Sequence, residues 1–326
     1  MKTSITLTSL ALFGVVAGIY WYMQPLESPV SEPVAPETGE DFLANQTEGD
    51  IVLMQLQDSA KKQTITLERI RSEWFLKYPV FYPADPMMAE GLASAIRLSR
   101  KARRLVPEKG WAEYGLERPS LKIGIRQSRS ARRRYLYLGD LSPVSPHVYA
   151  RWDREGEYFL VDQDLKKAFD RSVYSLRQKR VFRTPLAGVA KIRVRTRLGE
   201  EYELALQKDR WVWMEPVELL GAPVDPQTAE EIFRHIQALY VKEFLDDETL
   251  WPETLGLSPW GPRVQVSPQS GLAEVIDLGS EVKDRDAVYA QRQGEPALLL
   301  ISREHIQRLF EIAKTARQKA PEAVSL

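Results

Sequence analysis

Short strings of this sequence recur in the same order about 140 positions further along the chain. Asp85-Pro86 returns as Asp225-Pro226, and Leu138-Gly139 returns as Leu278-Gly279. The other recurring elements are Val148-Tyr149-Ala150 with Val288-Tyr289-Ala290, Trp74 and Pro79 with Trp211 and Pro216, and Gly115-Leu116 with Gly256-Leu257. Ordered recurrence at one spacing is the signature of an internal repeat. We therefore expect two homologous modules, at residues 50–182 and 189–319.

Each predicted module has the pattern of an α+β fold. Alternating apolar and polar residues predict a hairpin at the start of each copy and four short strands near its end. Between them, Asp85 and Asp225 precede a proline and apolar residues at helical spacing, which is typical of a helix start. A closing helix is predicted at 163–176 in the first copy and at 302–315 in the second. The expected architecture is mostly antiparallel sheets with flanking helices.

The composition supports two folded cores and excludes sulfur chemistry. The chain has 326 residues, of which 44% are hydrophobic, and this is typical of globular proteins. It contains no cysteine, so disulfides, cysteine zinc sites, iron–sulfur clusters and thiol nucleophiles are all excluded. Only three histidines, His147, His235 and His305, are available for acid–base or metal chemistry.

Residues 5–23 are apolar and contain no charged residue. As a helix this run is roughly 28 Å long, close to the thickness of the hydrocarbon core of a bilayer. Lys2 precedes the run, and Tyr20, Trp21 and Tyr22 end it, as expected at a membrane interface. We predict that residues 1–24 are a signal anchor that crosses the inner (cytoplasmic) membrane once, with the bulk of the chain on the periplasmic or extracytoplasmic side. A cleaved signal peptide is the alternative, disfavoured by the length of the run and the lack of an A-x-A pattern.

Residues 25–49 differ sharply from the rest of the chain. Four prolines are spaced among acidic residues, and the segment has no lysine or arginine. Such a segment buries too little apolar surface to offset the entropy of ordering it. We interpret it as a flexible, extended stalk that holds the folded part away from the membrane. A disordered leader without a spacing role is the alternative.

The recurring elements, together with the amino-terminal anchor, resemble an uncharacterised bacterial family of membrane-anchored, duplicated domains (domain of unknown function four-three-four-zero). The motifs that carry the resemblance are Trp-x(4)-Pro, the Asp-Pro helix start, the Gly-Leu turn, the Leu-Gly element and Val148-Tyr149-Ala150-Arg151. The resemblance implies a location outside the cytoplasmic membrane. It also implies that the protein is encoded beside ABC-type export permeases and gliding-motility-like auxiliary proteins. Gln291 departs from the pattern, because it replaces the arginine of the second Val-Tyr-Ala string.

The sequence predicts no catalytic, cofactor-binding or metal-binding residues. It lacks the phosphate-binding, dinucleotide-binding, zinc-protease and nucleophile-elbow motifs. Glu231 and His235 are four residues apart on a predicted helix, but a surface ion pair is favoured over a metal site. The repeated Trp and Tyr residues suggest either a sugar-binding platform or core packing, and their position in alternating strands favours packing.

Charge is distributed unevenly, although Lys plus Arg and Asp plus Glu both total 45. Residues 97–197 contain 26 basic and 10 acidic residues, whereas residues 198–326 contain 13 basic and 23 acidic ones. The first module is therefore basic and the second acidic. The predicted interaction residues are Arg100, Lys101, Arg103, Arg104, Arg132, Arg133, Arg134 and Arg151. Their expected partner is anionic lipid or an acidic protein face; the competing interpretation is that these charges are hydrated or neutralised within the chain. The expected location argues against nucleic acid.

These features favour a non-enzymatic, membrane-anchored envelope protein that acts as an accessory or scaffold component of a membrane transport complex. An ABC-type permease or an auxiliary envelope protein is the expected partner. The alternative is a protein that binds or modifies an envelope glycan, with its site between the two repeats.

Overall fold

The computed structural model describes residues 40–41, 49–105, 111–143, 146–153, 157–246 and 250–319. The predicted anchor and all but residues 40–41 and 49 of the predicted stalk lie outside them. Within these ranges, no helix combines the length and the apolar character needed to cross a membrane. The described chain divides into two compact units. The first contains residues up to 68 with residues 90–170, and the second contains residues 69–89 with those from 171 onward.

The first sheet has nine strands in the order β5-β4-β3-β2-β8-β9-β10-β11-β7. A separate two-stranded sheet pairs β1 with β6. In chain order these strands are β1 (Glu40–Asp41), β2 (Ile51–Asp58), β3 (Gln63–Ile70), β4 (Glu73–Tyr78), β5 (Tyr82–Pro83), β6 (Arg100–Lys101), β7 (Arg103–Leu105), β8 (Leu121–Gln127), β9 (Arg134–Leu141), β10 (His147–Trp152) and β11 (Tyr158–Asp162).

The second sheet has eight strands in the order β14-β13-β12-β16-β17-β18-β19-β15. They are β12 (Val189–Arg195), β13 (Glu201–Gln207), β14 (Arg210–Glu215), β15 (Val241–Leu245), β16 (Arg263–Pro268), β17 (Glu274–Val282), β18 (Ala287–Arg292) and β19 (Leu298–Ile301). Without the two-residue β5, the two sheets have the same strand order. Registers also correspond: Leu136 lies opposite Trp152 in the first sheet, and Ile276 lies opposite Arg292 in the second.

Within the described ranges, five α-helices accompany the sheets: α1 (Pro86–Leu98), α2 (Gln163–Ala168), α3 (Val173–Leu176), α4 (Pro226–Gln237) and α5 (Arg303–Lys319). The predicted Asp-Pro starts of α1 and α4 are confirmed. The Asp85 carboxylate accepts the Met88 amide at 3.1 Å, and Asp225 accepts the Thr228 amide at 3.0 Å. Each helix buries apolar residues at helical spacing: Ala89, Leu92, Ala93 and Ile96 in α1, and Ala229, Ile232, Phe233 and Ile236 in α4. The α+β class is therefore as expected.

The prediction of one continuous closing helix at 163–176 is wrong. It consists of α2 and α3, separated by an extended link at residues 170–172. Buried Phe169 ends α2, and Ser172 begins α3 with a capping box in which its hydroxyl accepts the Ser175 amide. A serine that caps its own helix competes with continuation of the preceding one. The strands β7 and β15 were not predicted, because helix α1 or α4 precedes them closely and they are short.

The Gly-Leu turn of each copy packs against the glycine of the Leu-Gly element. Gly115 and Gly256 have φ angles of 67° and 76°, a left-handed conformation that favours glycine. A Cβ atom on Gly139 would lie 2.1 Å from the Tyr114 carbonyl oxygen, and one on Gly279 would lie 2.4 Å from that of Leu255. Each turn thus packs its backbone directly on a strand, and only glycine leaves room for it.

The recurring aromatic residues mainly pack. Trp74 is buried, and Trp211 contacts Phe233 with ring centroids 5.0 Å apart. Tyr149 packs on Tyr114 at 4.7 Å. These contacts favour the packing interpretation over a sugar-binding platform.

Candidate functional site

A row of two cations and a tyrosine crosses the first sheet. Tyr137 on β9 lies in register with Lys122 on β8 and with Arg151 on β10. The Arg151 guanidinium carbon is 4.0 Å from the centre of the Tyr137 ring, and the Lys122 ammonium is 5.4 Å from it. Lys122 also lies 4.2 Å above the Tyr135 ring. We call Lys122, Tyr135, Tyr137 and Arg151 the cation–tyrosine row.

The row holds its positive charges without a carboxylate in register between them. An aromatic face attracts a cation but does not cancel its charge. Burial lowers the pKa of Arg151, and the neighbouring Tyr137, Tyr158 and Asp153 oppose that shift. Arginine still remains protonated at physiological pH. A half-buried pair of cations of this kind favours an anionic partner.

The corresponding row of the second sheet is neutralised. Asp277 lies in register with Arg263 and Gln291, the positions that match Lys122 and Arg151. Oδ1 of Asp277 is 2.9 Å from the Arg263 guanidinium, and Oδ2 accepts a hydrogen bond from the Gln293 side-chain amide at 3.0 Å. The two rows therefore differ at two positions. Asp277 replaces the tyrosine and forms an ion pair with Arg263, and the uncharged Gln291 replaces Arg151.

The hairpin between β8 and β9 carries the predicted arginines Arg132, Arg133 and Arg134. Arg133 donates to the Gln55 side chain at 3.2 Å, and Arg134 lies 4.3 Å above the Trp152 ring. Arg132 is exposed, as is Arg129 in the same turn. Among the residues that the structure describes, no acidic side chain is within ion-pairing distance of Arg129 or Arg132. We call residues 128–133 the arginine hairpin.

The matching hairpin of the second sheet, residues 269–273, contains no charged residue. Its exposed tip residue, Leu272, corresponds in position to Arg132. The two equivalent hairpins, residues 128–133 and 269–273, therefore differ in charge in the same direction as the two modules.

The predicted residues that follow α1 form a different group. Lys101 is buried and lies 2.7 Å from Glu157, and Arg104 lies 3.5 Å from the same carboxyl group. The hydrogen bond from Lys101 lowers the pKa of Glu157 against the opposing effect of burial. Arg100 and Arg103 are exposed. Strands β10 and β11 separate β7 from β9, which places β7 roughly 14 Å from the strand that leaves the arginine hairpin. The structure thus groups Arg132–Arg134 with Arg151, and groups Arg100–Arg104 elsewhere.

Among the described residues, no histidine belongs to a cluster that could hold a metal ion. Glu231 forms an ion pair with Arg308, at 3.5 Å. The His235 and His305 rings are 5.8 Å apart, and burial together with His305 lowers the pKa of His235. In the described part of the chain, no three His, Cys, Asp or Glu residues are placed to hold a metal ion.

Sequence reasoning missed Lys122, Tyr135 and Tyr137. The strands that contain them were predicted, so a register between β8 and β9 would have placed Lys122 opposite Tyr137. That register depends on the length of the hairpin, which the alternation of residues alone does not fix.

The family described as domain of unknown function (DUF4340) matches residues 74–259. The match begins at Trp74 and ends just beyond the second Gly-Leu turn, so it contains both Asp-Pro helix starts. No curated protein and no solved structure matches the chain. Because the matched residues are more than half of the sequence, the protein belongs to the family of this domain of unknown function.

Proposed function

We propose that this protein is a non-enzymatic accessory component of a membrane transport complex, and that it binds an acidic face of a partner protein. The observation that carries the proposal is the contrast at matched positions. Lys122 and Arg151 flank a tyrosine in the first sheet, whereas Asp277 neutralises the same row in the second.

The proposed binding surface consists of the cation–tyrosine row and the arginine hairpin. The row crosses strands β8 to β10, and the arginine hairpin joins β8 to β9. The row has a tyrosine where the second sheet has the aspartate that pairs with Arg263, and among the described residues no acidic side chain is within ion-pairing distance of Arg129 or Arg132. Arginine presents several donors in a fork that matches a carboxylate, and clustered charge speeds encounter with an anionic partner. An interaction of this kind requires no catalytic group.

The proposed location is the inner membrane, with a single crossing at residues 5–23 and the folded units on the periplasmic or extracytoplasmic side. The apolar run and its aromatic end support this topology. An ABC-type permease or an auxiliary envelope protein is the proposed partner, on the strength of the resemblance given above.

We also propose that the two sheets arose by duplication of one module. The equivalent strand order, the matching registers and the two glycine contacts support this origin. A duplicated module keeps its core in both copies but needs its binding surface only once. An envelope glycan ranks second as a ligand, because Trp74, Trp211 and Tyr149 are used in packing.

The test is affinity capture of partners from detergent-solubilised membranes with the full-length protein. Replacing Arg129 and Arg132 with glutamate should reduce capture about tenfold at low salt, because both charges are reversed. The matched control replaces Gln269 and Leu272 with glutamate in the hairpin of the second sheet, and it should leave capture unchanged.

Two results would redirect or overturn the proposal. If the arginine variant loses binding to anionic vesicles but keeps its captured proteins, the ligand is lipid rather than protein. If both variants capture the same proteins as the wild type at low salt and bind vesicles equally, the basic surface has no binding role.

A further inference from the structure

Strand β6, directly after α1, pairs with a short strand from the predicted stalk (residues 25–49). Strand β6 pairs antiparallel with β1, with Glu40 opposite Lys101 and Asp41 opposite Arg100. Two residues of the predicted stalk therefore add to an edge whose own two residues are basic. The paired length is only two residues on each side.

The second unit has an equivalent arrangement after α4. Residues 179–181, which precede that module, run antiparallel to residues 239–241: Val241 donates its amide to the Lys179 carbonyl at 2.8 Å, and Val181 donates to Leu239 at 3.1 Å. In each unit, the segment that enters the module pairs with the chain just after its first helix.

A carboxylate clamp fixes the entering segment of the second unit. Glu274 accepts the Arg183 amide at 2.7 Å, the Thr184 amide at 2.9 Å and the Thr184 hydroxyl at 2.9 Å. Buried Arg292 donates to Glu274 at 2.9 Å and also to the Val181 carbonyl. We call Glu274 and Arg292 the segment clamp.

The same clamp cannot form in the first unit. The positions that match Glu274 and Arg292 are Arg134 and Trp152, and Arg134 lies over the Trp152 ring. Neither residue offers a carboxylate to the backbone of an entering segment. Among the described residues, a ladder of two residue pairs attaches β1 to β6, and isolated pairings of this length have little stability in water.

A pocket of about 530 Å³ lies beside β6, lined in part by Leu98, Arg100, Lys101 and His147. It also contains two carboxylates that already have partners. Asp162 accepts the Asp164 amide at 2.7 Å, and Asp164 lies 2.9 Å from Lys167. The pocket thus places the exposed Arg100 next to an edge that accepts extended backbone.

We propose that β6 and this pocket form a binding site for an extended acidic peptide of a partner protein, and that Glu40–Asp41 occupies the edge until that peptide replaces it. Strand addition supplies the backbone hydrogen bonds, and the Arg100 guanidinium favours acidic side chains. This site is separate from the cation–tyrosine row, so it goes beyond the proposed function and either proposal can fail alone.

The pairing itself is tested with a cysteine pair in the full-length chain, which has no native cysteine. Asp41→Cys with Arg100→Cys should form a disulfide under mild oxidation, because paired strands bring the two Cα atoms within bridging distance. Asp41→Cys with Arg132→Cys is the control and should remain reduced. Equal oxidation of both pairs, or of neither, would overturn the pairing.

Exchange is tested by binding of a fluorescent peptide with the sequence of residues 36–46, PETGEDFLANQ. Asp41→Pro removes an amide and weakens the internal strand, so the full-length variant should bind the peptide about tenfold more tightly than the wild type. Adding Arg100→Glu should reverse that gain, whereas Tyr240→Glu, at the matching position of the second unit, should not. A peptide whose three acidic residues are replaced by their amides should bind weakly. Unchanged affinity in Asp41→Pro, or equal binding of the amide peptide, would overturn the proposal.

Discussion

The two sheets use matched positions on β9–β10 and β17–β18 for different interactions. In the second sheet, Glu274 and Arg292 form a segment clamp whose two side chains are 17% and 8% exposed. In the first, Arg134 lies over Trp152 instead. The same backbone therefore supports either a hydrogen-bonded ion pair or a stacked cation, and in the second sheet the ion pair also holds residues 181–184.

The second contrast lies on the same strands as the first: Asp277 is three residues after Glu274, and Gln291 directly precedes Arg292. Asp277 neutralises Arg263, whereas Tyr137 leaves Lys122 and Arg151 charged. The charge difference between the modules is thus concentrated at particular cross-strand positions.

Breaking the segment clamp should have the largest effect. Glu274→Ala leaves Arg292 buried without its carboxylate and removes three hydrogen bonds to residues 183–184, so we expect a loss of about 4 kcal/mol from the free energy of unfolding. Arg134→Ala, the matched change in the first sheet, should cost about 1 kcal/mol. Urea unfolding measures the loss of stability in each variant. Hydrogen exchange is followed at β16–β18 for Glu274→Ala and at β8–β10 for Arg134→Ala. Equal losses would show that the two positions contribute alike.

The glycine contacts should respond equally in the two sheets. A Cβ atom at position 139 or 279 meets a backbone oxygen at 2.1 or 2.4 Å. Gly139→Ala and Gly279→Ala should therefore each cost about 3 kcal/mol, because the turn must move away from its strand. Gly91→Ala, in α1 with open space around it, is the control and should stabilise by up to about 1 kcal/mol. A tolerated substitution in one sheet alone would break the equivalence.

The clamp also predicts a dependence on pH. Burial opposes ionisation of Glu274, but the hydrogen bonds from Arg183, Arg292 and Thr184 outweigh it and lower its pKa below the ordinary 4.5. A lowered folded-state pKa gives stability that is present above pH 4.5 and is lost as the pH falls through the folded value. Unfolding curves between pH 7 and pH 3 should show this loss in the wild type and a smaller one in Glu274→Gln. Parallel curves for the two proteins would exclude Glu274 as the titrating group.

Exchanging the central residues of the two rows should have the smallest effect on stability. Tyr137→Asp places a carboxylate between Lys122 and Arg151, so stability should change by less than about 1 kcal/mol. Capture of the anionic partner should fall several-fold. The reciprocal Asp277→Tyr removes the partner of Arg263 and should cost about 1 to 2 kcal/mol. Undiminished capture by Tyr137→Asp would separate the row from partner binding.

Local features were predictable because their causes lie within a few residues. Asp85 and Asp225 cap helices through amides three positions away, and the alternation of apolar residues marks the strands. The break at Ser172 was missed, since helical periodicity continues across it while the capping box depends on side-chain geometry. The candidate surface was only partly predicted: Arg132 was found from the charge distribution and Arg151 from its replacement by Gln291 in the second copy, but Lys122 and Tyr137 were not found.

The sequence by itself determined that the chain repeats one α+β plan, where its helices begin, and that residues 97–197 carry the excess of positive charge. Only the tertiary structure decided which charges are neutralised. Cross-strand register places Asp277 beside Arg263 but Tyr137 beside Lys122, and the fold brings Glu274 to residues 183–184, about 90 positions earlier in the chain. A count of charges contains no information about such partners, because pairing depends on which strands are neighbours and in which register.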